Sequence, residues 1–421
     1  MTARPPVIVL GIDSPIGLTV VRELGAAGVG VHGVARDRRA LGLYSRHLAR
    51  GYLRDGELCA QLLDIARTSG ASLVMTVSMG DALAVRAAAD DGRLPGLTPL
   101  LPPAAKLALV NDKAAICGVA ERLGIPVPLT WQPTAADFDT AVPRDVGYPC
   151  ILKWRDPEEA AAPLARLGLP LLKSEFAHDE AELRAALARY RPAGLWPLVQ
   201  SYCPGTGLGQ MFLMKDGRAL MRFQHRRLHE WPPEGGVSTL CESIAPGEHR
   251  ALMQKSEALL REIGWEGPAM VEYRHDAATG ETALMEINGR FWGSLPLASH
   301  AGARFALGSY LALGLGYDLP EASYRPGLRC RYMVPETRRL VRVTLGRKAI
   351  PDRRLAFSPA REVLRWLGGF LGGRYYVFSL RDPLPFLADL GFIAGAAVRG
   401  VFSRLRPHRT AAEPRLEPLK R

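Results

Sequence analysis

This chain has no Cys-x-x-Cys pair, no dinucleotide-type glycine spacing in its first strand-to-helix turn and no uninterrupted apolar run of membrane-spanning length. Each absence closes a class of function. The six cysteines, at positions 59, 117, 150, 203, 241 and 330, are scattered, several in apolar contexts. They read as reduced core thiols, not as a disulfide framework or a zinc ribbon. The N-terminal turn Gly11-Ile-Asp-Ser-Pro-Ile-Gly17 lacks the glycine spacing of a dinucleotide site, and the second strand runs into Ala35-Arg36 instead of ending on an acid. A spanning helix needs about 20 apolar residues, and the most apolar stretch, Leu384 to Phe402, is broken by Asp389 and Arg399. No leader pattern precedes the first strand, which together with the reduced thiols predicts a cytoplasmic protein. No nucleic-acid recognition motif is present, so no nucleic-acid partner is expected.

What is present describes a large globular protein. A chain of 421 residues, 48% of them apolar, buries a sizeable core and divides into two or more domains. The net charge of +12 is unevenly placed. Residues 331 to 421 hold 19 Lys and Arg against 7 Asp and Glu, so the whole excess lies there. At the other end, Pro6 to Gly11 reads as a buried strand, Ile16 to Ala27 as a helix and Gly30 to Val34 as a second strand. This is a βαβ start. Leu73 to Val77 reads as a further parallel strand with Ser78 to Asp81 at its C-terminal edge, where open α/β sheets place ligands.

The strings Met270-Val-Glu-Tyr-Arg274 and Leu284-Met-Glu-Ile-Asn-Gly-Arg-Phe-Trp292 carry the most chemistry. Both alternate as half-buried strands do. The turn from His275 to Gly280 between them predicts a hairpin that sets Glu272 beside Glu286. Leu284, Glu286 and Asn288 share one face in this reading, while Met285 and Ile287 face a core. Two carboxylates and an amide oxygen make a hard-oxygen site of the kind Mg²⁺ or Mn²⁺ takes together with phosphate oxygens. Arg290 follows, placed to stabilise charge in phosphoryl transfer. An ordinary solvated hairpin explains a lone Glu-x-Asn equally well, so the upstream residues matter. Lys113 stands at the start of a helix, beside free N–H groups that suit a phosphate. Lys153 projects from the buried strand Gly147-Tyr-Pro-Cys-Ile-Leu-Lys153. Leu198-Val-Gln-Ser-Tyr-Cys-Pro-Gly205 is a short strand broken at Pro-Gly, a shape suited to holding a flat base.

In this order the set resembles the ATP-grasp superfamily, across about residues 5 to 320. The resemblance implies an α/β protein with α+β grasp lobes. A Rossmann-like pre-ATP-grasp domain (1–102) would precede the first lobe (103–190) and the second, metal-bearing lobe (191–320), with a basic amphipathic extension (321–421) after them. It implies Mg²⁺-dependent, ATP-driven joining of a small-molecule carboxylate to an amine through an acyl phosphate. Lys113 and Lys153 would hold the ATP phosphates. The hinge residues Gln200, Ser201 and Cys203 would meet the base, with the Ser201 and Cys203 backbones against adenine. Glu272, Glu286 and Asn288 would bind the metal, and Arg290 would face the acyl phosphate. The chain departs from the pattern in its Gln200-Ser201 hinge, where many members carry an acid, and in lacking a glycine-rich loop after Lys153.

Three further expectations complete the reading. The basic cluster Gln224-His-Arg-Arg-Leu-His229 fits an anionic substrate met by Arg226, Arg227 and His229, and equally a surface charge cluster. Trp231-Pro-Pro-Glu-Gly-Gly236 suits a hinged cover. Residues 331 to 421 interleave basic and bulky apolar side chains, among them Trp366, Phe370, Leu371, Phe386, Phe392 and Phe402. They fit peripheral contact with an anionic membrane at its inner face, or a helical subdomain packed on the core. A homodimer is compatible with the sequence. The competing functional class is a nucleotide-binding, membrane-associated scaffold without ligase activity.

Overall fold

A computed structural model of the chain describes residues 4–139, 146–155, 157–172, 174–321, 323–370 and 372–405. Leu371, Arg406, Arg409 and the chain end, for which the sequence predicts disorder, lie outside the described residues, and so does the Phe402 side chain.

Three sheets organise the molecule. The first is built from β1 (Val7–Leu10), β2 (Val31–Ala35), β3 (Arg50–Leu53), β4 (Leu73–Thr76) and β5 (Thr98–Pro99). It is parallel, in the order β3-β2-β1-β4-β5. Every residue of β1 and β4 is buried, as continuous apolar runs require when helices cover both faces. The helix Pro15–Ala26 follows β1, with Pro15 at its first turn, where a missing N–H costs nothing.

The second sheet comprises β6 (Thr130–Trp131), β7 (Cys150–Lys153), β8 (Glu175–Ala177) and β9 (Leu198–Ser201), in the order β6-β9-β7-β8. Where a glycine-rich cover was looked for after Lys153, the chain forms the helix Pro157–Arg166.

The third sheet has seven strands: β10 (Thr206–Lys215), β11 (Arg218–Trp231), β12 (Val237–Ser243), β13 (Gly267–His275), β14 (Thr282–Asn288), β15 (Arg329–Arg331) and β16 (Arg374–Tyr375). Their order is β14-β13-β10-β11-β12-β15-β16. The β10–β11 turn is Asp216-Gly217, both at positive φ (51° and 70°), as a two-residue hairpin demands. Beneath the sheet the helix Arg250–Glu262 is fixed by a fully buried polar chain. Ser256 Oγ donates to Gln210 Oε1 at 2.7 Å and lies 2.6 Å from Tyr273 Oη, while Gln210 Nε2 donates to Gln224 Oε1 at 3.2 Å. Each member is satisfied by another, so the network fixes the strands to the helix without orphaning a donor.

The C-terminal region joins this sheet. β15 pairs with β12, β16 pairs with β15, and the helix Met333–Leu345 lies against β11 and β12. Of the two sequence readings for this region, a subdomain packed on the core describes residues 329–382. Among the described residues no helix is long and apolar enough to cross a membrane.

Candidate active site

A cleft of about 940 Å³ opens between the second and third sheets, within the usual range for a small-molecule site. β7 alternates strictly, with Cys150 and Leu152 inward and Ile151 and Lys153 toward the cleft. Gln200 sits opposite Ile151 in register, so it shares that face with Lys153. Lys153 Nζ donates to Gln200 Oε1 at 3.1 Å, and Gln200 Nε2 donates to Thr130 Oγ1 at 3.2 Å. The partner of this buried lysine is therefore a neutral amide, not a carboxylate. Burial, reinforced by the neighbouring Lys113 cation, brings the Lys153 pKa down to about 8. Lys113 opens the helix Lys113–Arg122, whose first N–H groups are capped by Asp112 Oδ1. Two cations meeting in a cleft, one depressing the other, favour an anion between them.

β13 and β14 form the expected hairpin, with Glu272 directly opposite Glu286. Asn288 Nδ2 donates to Glu286 Oε1 at 3.0 Å, and Arg290 Nη2 donates to Asn288 Oδ1 at 3.1 Å. Lys113 Nζ lies 3.7 Å from Glu286 Oε2. The carboxylates are poised apart. Burial raises the Glu272 pKa against the opposing Arg227. Burial also pushes Glu286 upward, but Lys113, Asn288 and Arg227 together outweigh it and hold that group low. Gly289 lets the chain pass over Trp265, because a Cβ there would stand 2.4 Å from the indole ring. Fully buried Trp292, edge-on to Phe305 at 4.9 Å, anchors the far side of Arg290.

One part of the hairpin differs from strict alternation. The register slips between Glu272 and Tyr273, so Met285 becomes an extra residue opposite them. Leu284 therefore turns into the core at 1% exposure, and Met285 lines the cleft, the reverse of the sequence expectation. A bulge inserts one residue and swaps the faces on one side of it.

The donor set fits a hard divalent cation. Two carboxylates and one amide oxygen stand on paired strands, and among the described residues no cluster of three or more His, Cys, Asp or Glu forms a complete metal nest. Three oxygen donors leave room for phosphate oxygens and water, which is how Mg²⁺ is usually held beside a nucleotide.

The hinge residues Gln200, Ser201 and Cys203 all line the cleft. The Ser201 N–H donates to the Leu129 carbonyl at 2.8 Å, and the Ser201 carbonyl accepts from Cys203 Sγ at 3.9 Å. Of the basic trio, the structure brings Arg227 to the cleft and not Arg226 or His229. Arg227 is half-buried, with Nη2 2.5 Å from Glu272 Oε2 and Nη1 donating to the Gly236 carbonyl at 3.1 Å. Burial opposes its charge, but Glu272 and Glu230 more than compensate and raise its pKa. Arg226 points to the other face, where it shares Glu242 with Arg329. His229 lies behind the sheet, its Nδ1 2.5 Å from Glu336 Oε1. Two register slips between Arg227 and Glu230 produce this split and turn Glu230 toward the cleft in place of His229. Glu230 and Arg274 were not singled out in the sequence, yet both line the cleft and pair at 3.3 Å, so charges alternate from Arg274 through Glu230 and Arg227 to Glu272. Arg274 was legible as the cleft-facing neighbour of Glu272; Glu230 was hidden by the bulge. The loop after Trp231 also reaches the cleft, and Arg342 Nη2 donates to Glu234 Oε1 at 2.9 Å.

A cleft with one lysine on a sheet, a second at a helix start and an acidic hairpin on a facing sheet is built on the ATP-grasp fold, and solved structures of that fold superpose on most of this chain. One is the ADP complex of N5-carboxyaminoimidazole ribonucleotide synthetase, with a TM-score of 0.61, 13% identity, and coverage of 82% of this chain and 87% of that one. Another is the biotin carboxylase domain of 2-oxoglutarate carboxylase from Hydrogenobacter thermophilus, in complex with MgADP, ADP and bicarbonate. It has a TM-score of 0.58 and 15% identity, covering 77% of this chain and 73% of that one. In sequence, the chain is similar to the mitochondrial arginine-specific carbamoyl phosphate synthase large chain of Neurospora crassa, at 24% identity over 222 residues. The match takes in 51% of this chain but spans only 18% of that relative's length. No family model matches the sequence.

Proposed function

We propose that this protein is an ATP-dependent ligase that joins a small-molecule carboxylate to an amine through an acyl phosphate. The observation that carries the reading is the meeting of Lys113 and Lys153 with Glu272, Glu286, Asn288 and Arg290 across one cleft. The lysines would hold the ATP phosphates, and the strand Leu198–Ser201 would seat the base. Glu272, Glu286 and Asn288 would hold Mg²⁺, which when bound draws charge from the phosphate oxygens. The substrate carboxylate oxygen attacks the γ-phosphorus, the bond to ADP breaks, and the acyl phosphate forms. The amine then attacks the acyl carbon and phosphate leaves, with the amine's proton passing to phosphate or solvent. Arg290 stabilises the charge that builds on the transferred group, and its own burial keeps that interaction strong. Arg227, held by Glu272 and Glu230, presents a fixed cation on the substrate side. The scaffold alternative offers no reason for two carboxylates, an amide and two lysines to converge.

The test is a screen of carboxylate and amine pairs for ADP and phosphate release, with mass detection of the product. A productive pair should release both in equal amounts only with Mg²⁺, and Glu286→Gln should stop release while leaving the folded protein intact. Metal-dependent turnover unchanged in Glu286→Gln would refute the site.

A further inference from the structure

The C-terminal region is built with its acids inside and its leucines outside. The helix Pro359–Gly368 turns its one acid, Glu362, inward, where it is 5% exposed and 2.7 Å from Arg339 Nη1. Its apolar side chains face out, with Leu364 67% exposed, Leu367 53%, and Val363 and Phe370 beside them. An ordinary surface helix does the reverse. The helix Leu384–Leu405 shows a second outward stripe, with Leu384, Leu387, Leu390 and Ile393 exposed three residues apart.

The charges follow the same rule. Between residues 331 and 382 the acids are Glu336, Asp352, Glu362 and Asp382, and all four are buried. Each is bound to a partner within the molecule: His229, Tyr202, Arg339 and Arg22 respectively. Arg338, Arg347, Arg361 and Arg381 remain exposed. Residues 331 to 382 carry 12 Lys and Arg against these four acids, a net of +8, and nine of those cations are exposed, so positive charge is presented outward beside leucine.

We propose that the outward side of the helix Pro359–Gly368, with Arg361 one turn from Leu364, binds the surface of an anionic lipid bilayer. The leucines enter the boundary between headgroups and acyl chains, and the arginines meet the phosphates. A second copy of the chain would set like charges against each other. A single-stranded nucleic acid would want aromatic faces for its bases, and the outward stripes are dominated by leucine. The proposal is independent of the ligase reading, because none of these side chains lines the cleft.

The test is co-sedimentation of the full chain with phosphatidylcholine vesicles, with and without phosphatidylglycerol, at low and high salt. The protein should pellet with the anionic vesicles only, and salt should release it. Leu364→Asp should weaken binding by about tenfold or more through lost burial and added repulsion. Arg361→Glu, an exposed change that spares the packing, should weaken it as well and decides the matter should Leu364→Asp fold poorly. Failure to pellet with anionic vesicles at low salt overturns the proposal, and so does binding unchanged in both variants. A dimer that Leu364→Asp converts to monomer would assign the face to a second copy.

Discussion

At the residue scale, Lys153 combines burial, a nearby like charge and a neutral hydrogen-bond partner. Its pKa of about 8 lies below the ordinary lysine value, so the ammonium is lost as pH rises through that point. ATP affinity of the free protein should therefore fall as pH climbs past 8, with the flattened dependence of a neutral side chain in Lys153→Met. That variant should also bind ATP about 1–3 kcal/mol more weakly at neutral pH, the range for a lost charge-assisted hydrogen bond. Titration calorimetry across pH checks both, and an unaltered dissociation constant would remove Lys153 from the phosphate site. Lys153 was legible because an apolar strand rarely carries a lone cation without an anionic guest. Glu286 and Asn288 were legible because their spacing sets them on one strand face, and Glu272 because the hairpin turn sets it beside Glu286. Arg226 was not, because two adjacent arginines on a strand must point to opposite faces, and nothing in their identity says which one meets the cleft.

At the element scale, the bulges decide what alternation cannot. The slip around Met285 exchanges Leu284 for Met285 at the cleft, and the two slips between Arg227 and Glu230 exchange His229 for Glu230 there. No turn residue or glycine marks either position, since a bulge is set by how strands pair across the sheet. The loop Trp231–Gly236 is shaped by the same pairing. Gly236 packs so closely on the Trp231 carbonyl that a Cβ would lie 2.1 Å from it, and the loop is strapped by Arg227 to the Gly236 carbonyl and by Arg342 to Glu234. Limited proteolysis within residues 232–236 should slow when ATP and substrates are bound. It should speed up several-fold in Arg342→Met without ligands. Equal cleavage in all three conditions would count against a moving cover.

At the scale of the whole molecule, the basic region is tied back to the N-terminal part of the chain. Asp382 is 2% exposed and accepts from Arg22 Nε at 2.9 Å, Ser45 Oγ at 2.7 Å and the Arg46 N–H at 3.0 Å. Burial works against its charge, but the Arg46 N–H, Arg22 and Ser45 outweigh that and lower its pKa. A depressed carboxylate contributes stability above its unfolded pKa and loses it as pH falls through the folded value. Asp382→Asn should cost about 3 kcal/mol, the scale for breaking a buried pair, and urea midpoints at pH 7 measure it. A loss below about 0.5 kcal/mol, typical of a surface pair, would mean that the tie is decorative. The excess of positive charge in this region was readable from sequence. Its packing was not, because the acids that anchor it find partners up to 360 residues away.

The contact behind the cover fixes how far it can travel. One buried carboxylate, Glu336, takes His229 on one oxygen and Thr239 Oγ1 on the other. It staples the two strands on either side of the nine residues from 230 to 238. Within it Glu230 still pairs with Ser238 and Trp231 with Val237, so only the five residues 232–236 are unpaired, with a contour of about 17 Å and a reach of no more than about 9 Å from their moorings. The loop is thus held at both ends on a five-residue leash, so any movement it makes is a short flap and not the swing of an arm.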